Sequence, residues 1–378
     1  MTAAPARQAT GQGRLAELDL LRFAAALAVV AFHYLVAFAS IWGQRPSTLF
    51  PAVAPLAGLG ILGVELFFMI SGFVILMTVW GRGLGAFARS RLVRLYPAYW
   101  LSVLAVAALY GLTGAAALDP KLTPGEYAVN LTMLQRAFEV GDANGVYWSL
   151  WVELRFYLLI ALLVLAGVTL GRCLAFMGIW LAGALLAGYL GDPVTEMVFM
   201  PGYAPYFIAG MALYLMHRFR PSWPLWAFLA AGYALAVRSA VERVAGRVEL
   251  AGKAAMPVED WMVVAAITAI FAVMTVAALG GLSGLRRFRL TGLGGVTYPL
   301  YLFHSPVAVL LIPALRDSLP PWAVAAVTVL AAGLLSYAVY RLVEHPVQRL
   351  FRPRPRRAGT RRAESRPSAR TGERTPVP

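Results

Sequence analysis

Residues 20–41 read LLRFAAALAVVAFHYLVAFASI, an apolar run that contains a single arginine, Arg22, and a single histidine, His33. A helix of about 20 apolar residues is long enough to span a bilayer core, so the run predicts a membrane helix. Arg22 and His33 are eleven residues apart, which at about 100° per residue returns both to one helix face, about 16 Å apart. Ionisable groups inside a span are costly and usually functional, so this face, which Asp19 shares, is the first candidate site.

The rest of the chain repeats the same apolar pattern. Of its 378 residues, 60% are hydrophobic and 13% are charged, far from the averages of soluble proteins. The predicted fold is an all-α, polytopic transmembrane helix bundle of about ten spans, since span length and periodicity do not suit a barrel. The predicted spans are residues 20–41, 59–79, 95–117, 147–170, 173–190, 196–216, 222–238, 260–282, 293–313 and 321–343.

Charge distribution sets the predicted orientation. With the N-terminus inside, 22 of the 33 basic residues fall in inner segments and eight in outer loops. This asymmetry follows the positive-inside rule and predicts a plasma (inner) membrane protein with both termini cytoplasmic. We expect residues 1–14 to form a flexible cytoplasmic N-terminus, 15–350 the transmembrane domain and 351–378 a disordered basic cytoplasmic tail. The net charge of +15 then reflects topology and attraction to the lipid bilayer, and nucleic-acid binding is not predicted.

Two further spans each carry a carboxylate at a depth close to that of His33. Glu65 lies near the start of the second span and Glu153 near the start of the fourth, and both spans run inward in the predicted topology. A rise of 1.5 Å per residue places both about 9 Å below the outer surface, in one layer with His33. They are candidates for orienting His33. The alternative is that they neutralise Arg155 or Arg22 as buried ion pairs.

The inner side of the third span carries arginines beside aromatic rings. Arg91 and Arg94 are three residues apart on one helix face, and Tyr96 follows them. Guanidinium groups suit phosphate oxygens and aromatic rings can stack on a planar base, so this stretch predicts a site for a phosphorylated donor. The alternative is ordinary positive-inside anchoring with interfacial aromatic side chains.

The other ionisable residues of the spans give a weaker signal. His304 lies within the ninth span and is either a second site residue or a packing residue. Arg341 and Glu344, near the end of the tenth span, are expected to be structural. The four histidines and the scattered acids lack a recognisable ligand spacing, so no metal site is predicted.

Six stretches in this order resemble the acyltransferase-3 family of integral membrane acyltransferases. They are Arg22 to His33 with its Arg-x10-His spacing, GVELFFMISGF at 63–73, RLVRLYP at 91–97, WSLWVE at 148–153, TYPLYLFH at 297–304 and VEHP at 343–346. The resemblance covers about residues 14–350. It departs at one point, because members commonly carry Glu-Gln after the equivalent of Glu153, where this chain has Leu154 and Arg155.

The resemblance implies acyl transfer across the membrane. Family members take an acyl group, often acetyl, from cytoplasmic acyl-CoA to a hydroxyl of a carbohydrate-containing acceptor, such as a surface glycan, a cell-wall polymer or a glycosylated antibiotic. The implied catalytic residues are His33, Arg22, Glu65 and Glu153. The implied donor-binding residues are Arg91, Arg94 and Tyr96. The residues assigned to substrate binding are Trp148, Tyr298 and His304.

The residues themselves support a mechanism for such a transfer. A neutral His33 would remove the proton from the acceptor hydroxyl as it attacks the thioester. Glu65 or Glu153 would fix the tautomer of His33. Arg22 would either bind the phosphopantetheine arm or compensate oxyanion charge. A variant in which His33 itself carries the acyl group stays open.

Two other classes of function compete with the enzyme. A proton-coupled transporter also uses buried His, Glu and Arg, but it predicts broken helices and an internal repeat, and no clear repeat is present. A structural or sensory membrane protein gives no reason for phosphate-binding arginines at one side and a base near the other. Acceptor-dependent consumption of a thioester separates the enzyme from both.

Overall fold

The computed structural model describes residues 15–114, 122–251, 256–284 and 292–351. The predicted flexible N-terminus and, apart from Phe351, the predicted disordered tail lie outside the described residues. Within those residues the chain is helical and contains no strand. Ten segments there are long and apolar enough to cross a membrane, which confirms the predicted class of fold.

Ten long helices form the described bundle. In chain order they are α1 Ala16–Phe32, α2 Gly63–Val79, α3 Leu84–Thr113, α4 Trp148–Ala166, α5 Leu170–Leu190, α6 Ala204–Arg218, α7 Trp223–Ala251, α8 Asp260–Ala278, α9 Leu293–Leu315 and α10 Pro321–Val339. Gly114 and Gly191 end α3 and α5 with φ values of 58° and 64°. Glycine suits these left-handed positions because it has no Cβ to clash.

Two helices extend well beyond their predicted spans. α3 begins at Leu84 rather than at residue 95, so Arg91 and Arg94 lie on its first three turns. α7 continues to Ala251, which corrects the predicted span 222–238 and converts residues 239–251 of the predicted outer loop 239–259 into helix. Charged residues end a hydrophobic run, but arginine, glutamate and alanine are good helix formers. The helix therefore continues where the apolar signal stops.

Irregular helical turns interrupt three of the spans. α1 continues as a π-helical turn, His33–Ala37, which begins at the histidine itself. A short helix, Ala54–Gly58, and a 3-10 turn, Leu59–Leu62, precede α2. A second π-helical turn, Tyr340–Glu344, follows α10. π-helical turns are rare in proteins as a whole, and those that occur are often found at functional sites. The turn at the end of α1 is therefore a candidate position for such a site.

Glycines allow the central helices to approach backbone to backbone. A Cβ added to Gly72 of α2 would collide with the carbonyl group of Phe207 in α6, and one added to Gly210 of α6 would collide with that of Met69 in α2. Gly60, before α2, faces a carbonyl group of α1 in the same way. Small residues at such crossings are what permits close packing in membranes. α2 is thereby held between α1 and α6.

The two ends of the bundle differ in chemistry. The start of α3 and the segment after α10 meet at one end, where Arg82, Arg89, Gln348 and Phe351 line a common cavity. The start of α9 lies at this end beside the start of α1, because Gly294 faces Asp19. We call it the arginine end, and the positive-inside rule predicts that it is cytoplasmic.

The segment between α3 and α4 folds into the bundle from residue 122 onward. Asn130, Gln135 and Asn144 are buried. The Tyr99 hydroxyl donates to the Asn130 carbonyl oxygen at 2.7 Å, and Asn144 Nδ2 donates to that of Leu302 at 3.0 Å. Irregular backbone at membrane depth is tolerated where protein surrounds it. The predicted outer loop 118–146 therefore contributes to the core as well as to the surface.

Candidate active site

His33 lines a cavity on the side of the bundle away from the arginine end. This outer cavity has a volume of about 380 Å³ and is lined by Val29, Phe32, His33, Ile61, Val64, Arg136, Gly145, Val146, Trp148, Tyr203, Arg247 and Tyr301. His33 Nδ1 lies 2.8 Å from the carbonyl oxygen of Val29, one turn earlier. A carbonyl oxygen only accepts hydrogen bonds, so Nδ1 carries the proton. Nε2 of the neutral ring is then the nitrogen that can accept a proton.

His304 supports His33 from behind. Its Nε2 lies 3.3 Å from His33 Nδ1, and the ring centroids are 4.9 Å apart. His304 Nδ1 donates to the Tyr301 carbonyl oxygen at 2.9 Å, so its Nε2 is an acceptor that faces the Nδ1–H of His33. His304 is fully buried and is not part of the outer-cavity lining. Its position suits the support of His33 rather than the predicted contact with substrate.

Glu65 is paired with Arg243, a residue that the sequence analysis placed in an outer loop. Glu65 Oε1 accepts a hydrogen bond from Arg243 Nη2 at 2.7 Å, and the side chains are 5% and 28% exposed. Arg243 Nη1 also donates to the Gly202 carbonyl oxygen at 2.6 Å. Arg155, the predicted partner, instead donates to the Met197 carbonyl oxygen at 2.8 Å. Glu65 is thus part of a buried ion pair between α2 and α7.

Glu153 lies deeper than Glu65. Its Oε1 accepts hydrogen bonds from Ser71 Oγ at 2.8 Å and from the Tyr157 hydroxyl at 2.6 Å. Ser71 follows Glu65 by six residues on α2, a rise of about 9 Å toward the arginine end. The predicted single layer of His33, Glu65 and Glu153 is therefore wrong. Among the described residues, neither carboxylate forms a hydrogen bond with His33, so neither fixes its tautomer directly.

Glu153 lines a second cavity, which has a smaller volume than the outer one. This inner cavity has a volume of about 80 Å³ and is lined by Arg22, Val64, Phe67, Phe68, Ser71, Ile75, Arg91, Arg94, Leu95, Ser149, Leu150, Glu153, Tyr157, Thr297, Tyr298 and Tyr301. Its three arginines outnumber its one carboxylate, so its charge is positive. Arg22 forms no hydrogen bond or ion pair with any residue in the described part of the chain, which leaves its guanidinium available to a ligand.

A basic vestibule continues from the inner cavity to the arginine end. Its volume is about 290 Å³, and its lining is Arg82, Ala86, Arg89, Ser90, Arg91, Val93, Arg94, Gln348 and Phe351. Arg91 Nη2 donates to Ser90 Oγ at 2.9 Å. Four arginines around one opening favour the binding of phosphate groups, whose oxygens accept two hydrogen bonds from a single guanidinium.

The vestibule, the inner cavity and the outer cavity lie one after another through the bundle, because neighbouring cavities share lining residues, and we call this series the route. Arg91 and Arg94 line both the vestibule and the inner cavity. Val64 and Tyr301 line both the inner and the outer cavity. The Tyr301 hydroxyl lies 2.6 Å from Ser149 Oγ and donates to a backbone carbonyl at 3.0 Å. The route leads from the arginines to His33, and the cavity with the smallest volume lies in the middle.

The three predicted aromatic site residues lie in different places. Trp148 lines the outer cavity together with His33. Tyr298 lines the inner cavity and is absent from the outer-cavity lining, so it lies toward the arginine end from Tyr301. Tyr96 lines none of the three cavities, and its hydroxyl donates to the Thr132 carbonyl oxygen at 2.8 Å. Tyr96 therefore lies apart from Arg91 and Arg94, and Tyr298 lies in a different cavity from Trp148, although each set was predicted to share one site.

The arginines around the outer cavity were not predicted as site residues from the sequence. Arg136 and Arg247 line it, and Arg243 lies one turn before Arg247 on α7. All three were counted as loop charges. The spacing of four residues between Arg243 and Arg247 was the available signal, because it is typical of one face of a helix.

A comparison with protein families identifies the chain. The sequence profile of the family Acyl_transf_3, described as an acyltransferase domain, matches residues 15–341. The chain belongs to the acyltransferase-3 family. The acyltransferase is thus a membrane protein with many spans. The matched range contains His33, the residues shared between neighbouring cavities and nearly all of the vestibule lining. Comparisons with curated proteins and with solved structures gave no significant match.

Metal ligation finds no support in the part of the acyltransferase that the structure describes. No three His, Cys, Asp or Glu side chains there are grouped so that they could hold a metal ion. The expectation that the acyltransferase needs no metal stays a prediction.

Proposed function

We propose that the acyltransferase moves an acyl group, acetyl in the first instance, from cytoplasmic acyl-CoA to a hydroxyl of a carbohydrate-containing acceptor. One observation carries the proposal: the route of three cavities joins a cluster of arginines to a histidine with a free Nε2. An enzyme whose donor and acceptor lie on opposite sides of a membrane needs such a route. The plasma membrane is the proposed location.

The dimensions of the route suit the shape of acyl-CoA. CoA has a bulky phosphorylated nucleotide, a thin pantetheine arm and a thioester at the tip. The vestibule, with Arg82, Arg89, Arg91 and Arg94, would hold the phosphate groups, and the inner cavity, the smallest of the three at about 80 Å³, would hold the thin arm. The thioester would then reach the junction of Val64 and Tyr301, next to His33.

Arg22 would act on the donor rather than at the reacting carbonyl. It lines the inner cavity, whereas His33 lines the outer one, and eleven residues of helix separate them. That separation is about 16 Å along the axis, which is too far for both side chains to contact one carbonyl group. Of the two roles predicted for Arg22, binding of the phosphopantetheine arm is therefore favoured over compensation of the oxyanion. Glu153, in the same cavity, would limit the positive charge around the arm.

His33 would act as the general base. Its Nε2 accepts the proton of the acceptor hydroxyl while the hydroxyl oxygen forms a bond to the thioester carbonyl carbon. The carbon–sulfur bond then breaks, and the leaving thiolate takes the proton from Nε2. Throughout, the Val29 carbonyl oxygen holds the Nδ1–H and stabilises the imidazolium. Attack by Nε2 itself, with an acyl-His33 intermediate, uses the same geometry and remains the variant mechanism.

Release of CoA thiol tests the proposal. The purified full-length protein in detergent is incubated with acetyl-CoA and a panel of hydroxylated carbohydrates, and free thiol is measured. We expect acceptor-dependent release that is lost in His33→Ala. His217→Ala is the matched control, because His217 lies outside the three cavities and contacts the Ala278 carbonyl oxygen. Equal activity of His33→Ala and the wild type would contradict the proposed role of His33. Thiol release without an acceptor, in one burst per protein molecule, would favour the acyl-His33 variant.

A further inference from the structure

We infer that Arg247 is a specificity residue that binds an anionic group of the acceptor, a carboxylate or a phosphate, at the wall of the outer cavity. The inference rests on the proposed function, because it gives the class of acceptor that His33 would serve. It concerns a residue outside the six stretches on which the family resemblance rests.

The arginines at the outer cavity differ in whether a carboxylate neutralises them. Arg136, on one wall, is neutralised by Asp142, with Nη2 2.6 Å from Oδ2. Arg243, adjacent along α7, is neutralised by Glu65. Arg247 is exposed and, within the described ranges, has neither a hydrogen bond nor an ion pair. The residues that line the cavity include no carboxylate. Arg247 also lies within electrostatic range of Glu65, but that carboxylate already pairs with Arg243, so this group presents a net charge of +1 to whatever occupies the cavity.

The helix turn that carries Arg247 is fixed by its neighbour Arg243. Arg243 and Arg247 are four residues apart and share one face of α7, about 6 Å apart along the axis. Arg243 is held to Glu65 of α2 and to the Gly202 carbonyl oxygen. These contacts fix the turn of α7 from which Arg247 projects. A binding group on a rigid helix is positioned more precisely than one on a loop.

Aromatic rings supply a further feature of the cavity. Trp148 and Tyr203 line the same cavity as Arg247, and their ring centroids are 5.6 Å apart at an angle of 37°. One face of the Tyr203 ring is covered by the Arg243 guanidinium, 4.9 Å from the ring centroid. Aromatic rings at the wall of a cavity can pack against the C–H side of a sugar ring, while polar groups at the rim fix its orientation. A ring on this platform has His33 available for one hydroxyl and Arg247 available for an acidic substituent. An acidic sugar meets all three features.

An exposed arginine near a membrane surface can instead bind the phosphate of a lipid headgroup. The lining favours the acceptor, because Arg247 shares a cavity with His33 rather than standing on the outside of the bundle. If Arg247 binds lipid, the charge of the acceptor has no effect on transfer. Anionic lipid then does not compete with the acceptor. The experiment below distinguishes these outcomes.

The test compares acceptors that differ at position C6 of the sugar, which is a hydroxymethyl group, a carboxylate or a phosphate ester, and that all keep the hydroxyls at C2, C3 and C4. The full-length acyltransferase is reconstituted in nanodiscs of phosphatidylcholine, and kcat/KM for transfer from acetyl-CoA is measured with methyl glucoside, methyl glucuronide and methyl glucoside 6-phosphate. We expect the wild type to prefer one of the anionic acceptors by about tenfold or more, since charge-assisted hydrogen bonds are the strong ones. Arg247→Gln should remove the preference, because kcat/KM should fall by about tenfold more for the anionic acceptors than for the neutral one. Arg238→Gln is the matched control, because Arg238 pairs with Glu242 on the same helix, outside the outer cavity.

Direct binding of the same three compounds, measured by calorimetry, separates the inference from the proposed function. If transfer fails with every acceptor but the wild type binds an anionic sugar at least tenfold more tightly than the neutral one, and Arg247→Gln does not, the inference stands and the proposed reaction is in question. Equal affinity for charged and neutral sugars overturns the inference. An anionic preference that survives in Arg247→Gln also overturns it, as does an effect of the substitution that appears only when anionic lipid is added.

Discussion

Replacement of Glu65 by leucine should destabilise the protein more than replacement of Glu65 and Arg243 together. In Glu65→Leu, the guanidinium of Arg243 stays 28% exposed with no carboxylate beside it. Removal of one partner from a buried ion pair costs about 3–5 kcal/mol, because the other charge is left desolvated. Replacement of both partners by apolar side chains is close to neutral in other buried pairs.

The structure adds one correction to that figure for the double variant. Arg243 Nη1 also donates to the Gly202 carbonyl oxygen at 2.6 Å, and this hydrogen bond is lost when arginine becomes leucine. Such a loss costs about 1–3 kcal/mol where the remaining group is buried. We therefore expect the double variant, Glu65→Leu with Arg243→Leu, to lose about 1–3 kcal/mol, and Glu65→Leu alone to lose at least about 1 kcal/mol more.

The assay is reversible unfolding in mixed micelles with increasing SDS, which gives the free energy of unfolding for the wild type, both single variants and the double variant. Transfer activity per folded molecule is measured in parallel. A structural ion pair predicts that the double variant keeps substantial activity. If the double variant is less stable than Glu65→Leu, the stability predicted from the ion pair is wrong. If it folds normally but has no activity, the pair has a role in catalysis beyond its structural one.

Three further predictions concern the route. Val64→Phe, which puts a larger side chain at the junction of the inner and outer cavities, should lower kcat at least about tenfold while acetyl-CoA binding is retained; normal turnover would show that the acyl group takes another path. Arg94→Gln should raise KM for acetyl-CoA by about tenfold with little change in kcat, measured by steady-state kinetics at saturating acceptor; a change in kcat alone would contradict donor binding. His304→Ala should lower kcat with KM unchanged and should shift the pH profile of kcat, because the ring that faces His33 Nδ1 is lost; an unchanged profile would make His304 a packing residue.

The fold was predictable from the sequence because bilayer thickness imposes a length on every span. The run around Arg22 and His33, and the nine that follow, show this constraint directly, and ten suitable helices are present in the described residues. Helix ends were less predictable. α7 continues past residue 238 to Ala251 because helix propensity does not fall where hydrophobicity does. This error also hid the ion pair between Arg243 and Glu65.

The candidate site was predictable only in part, because depth along one helix says little about contacts between helices. The spacing of Arg22 and His33 placed both on the route, and the arginine pair at 91 and 94 lies where the vestibule meets the inner cavity. The partners of Glu65 and Glu153 depend on how α2, α4 and α7 cross, and close crossings are set by glycines such as Gly72 and Gly210. Those crossings cannot be derived from a depth count.

The junction at Tyr301 has a consequence for the cell as well as for catalysis. A continuous water-filled passage between two compartments would let protons and other ions leak and would dissipate the gradients that the membrane maintains. At this point the phenol group is fixed by Ser149 Oγ at 2.6 Å and by the Val146 carbonyl oxygen at 3.0 Å, and Val64 packs at the same position. A plug of this kind would keep the bilayer electrically tight during the acyl transfer that we propose.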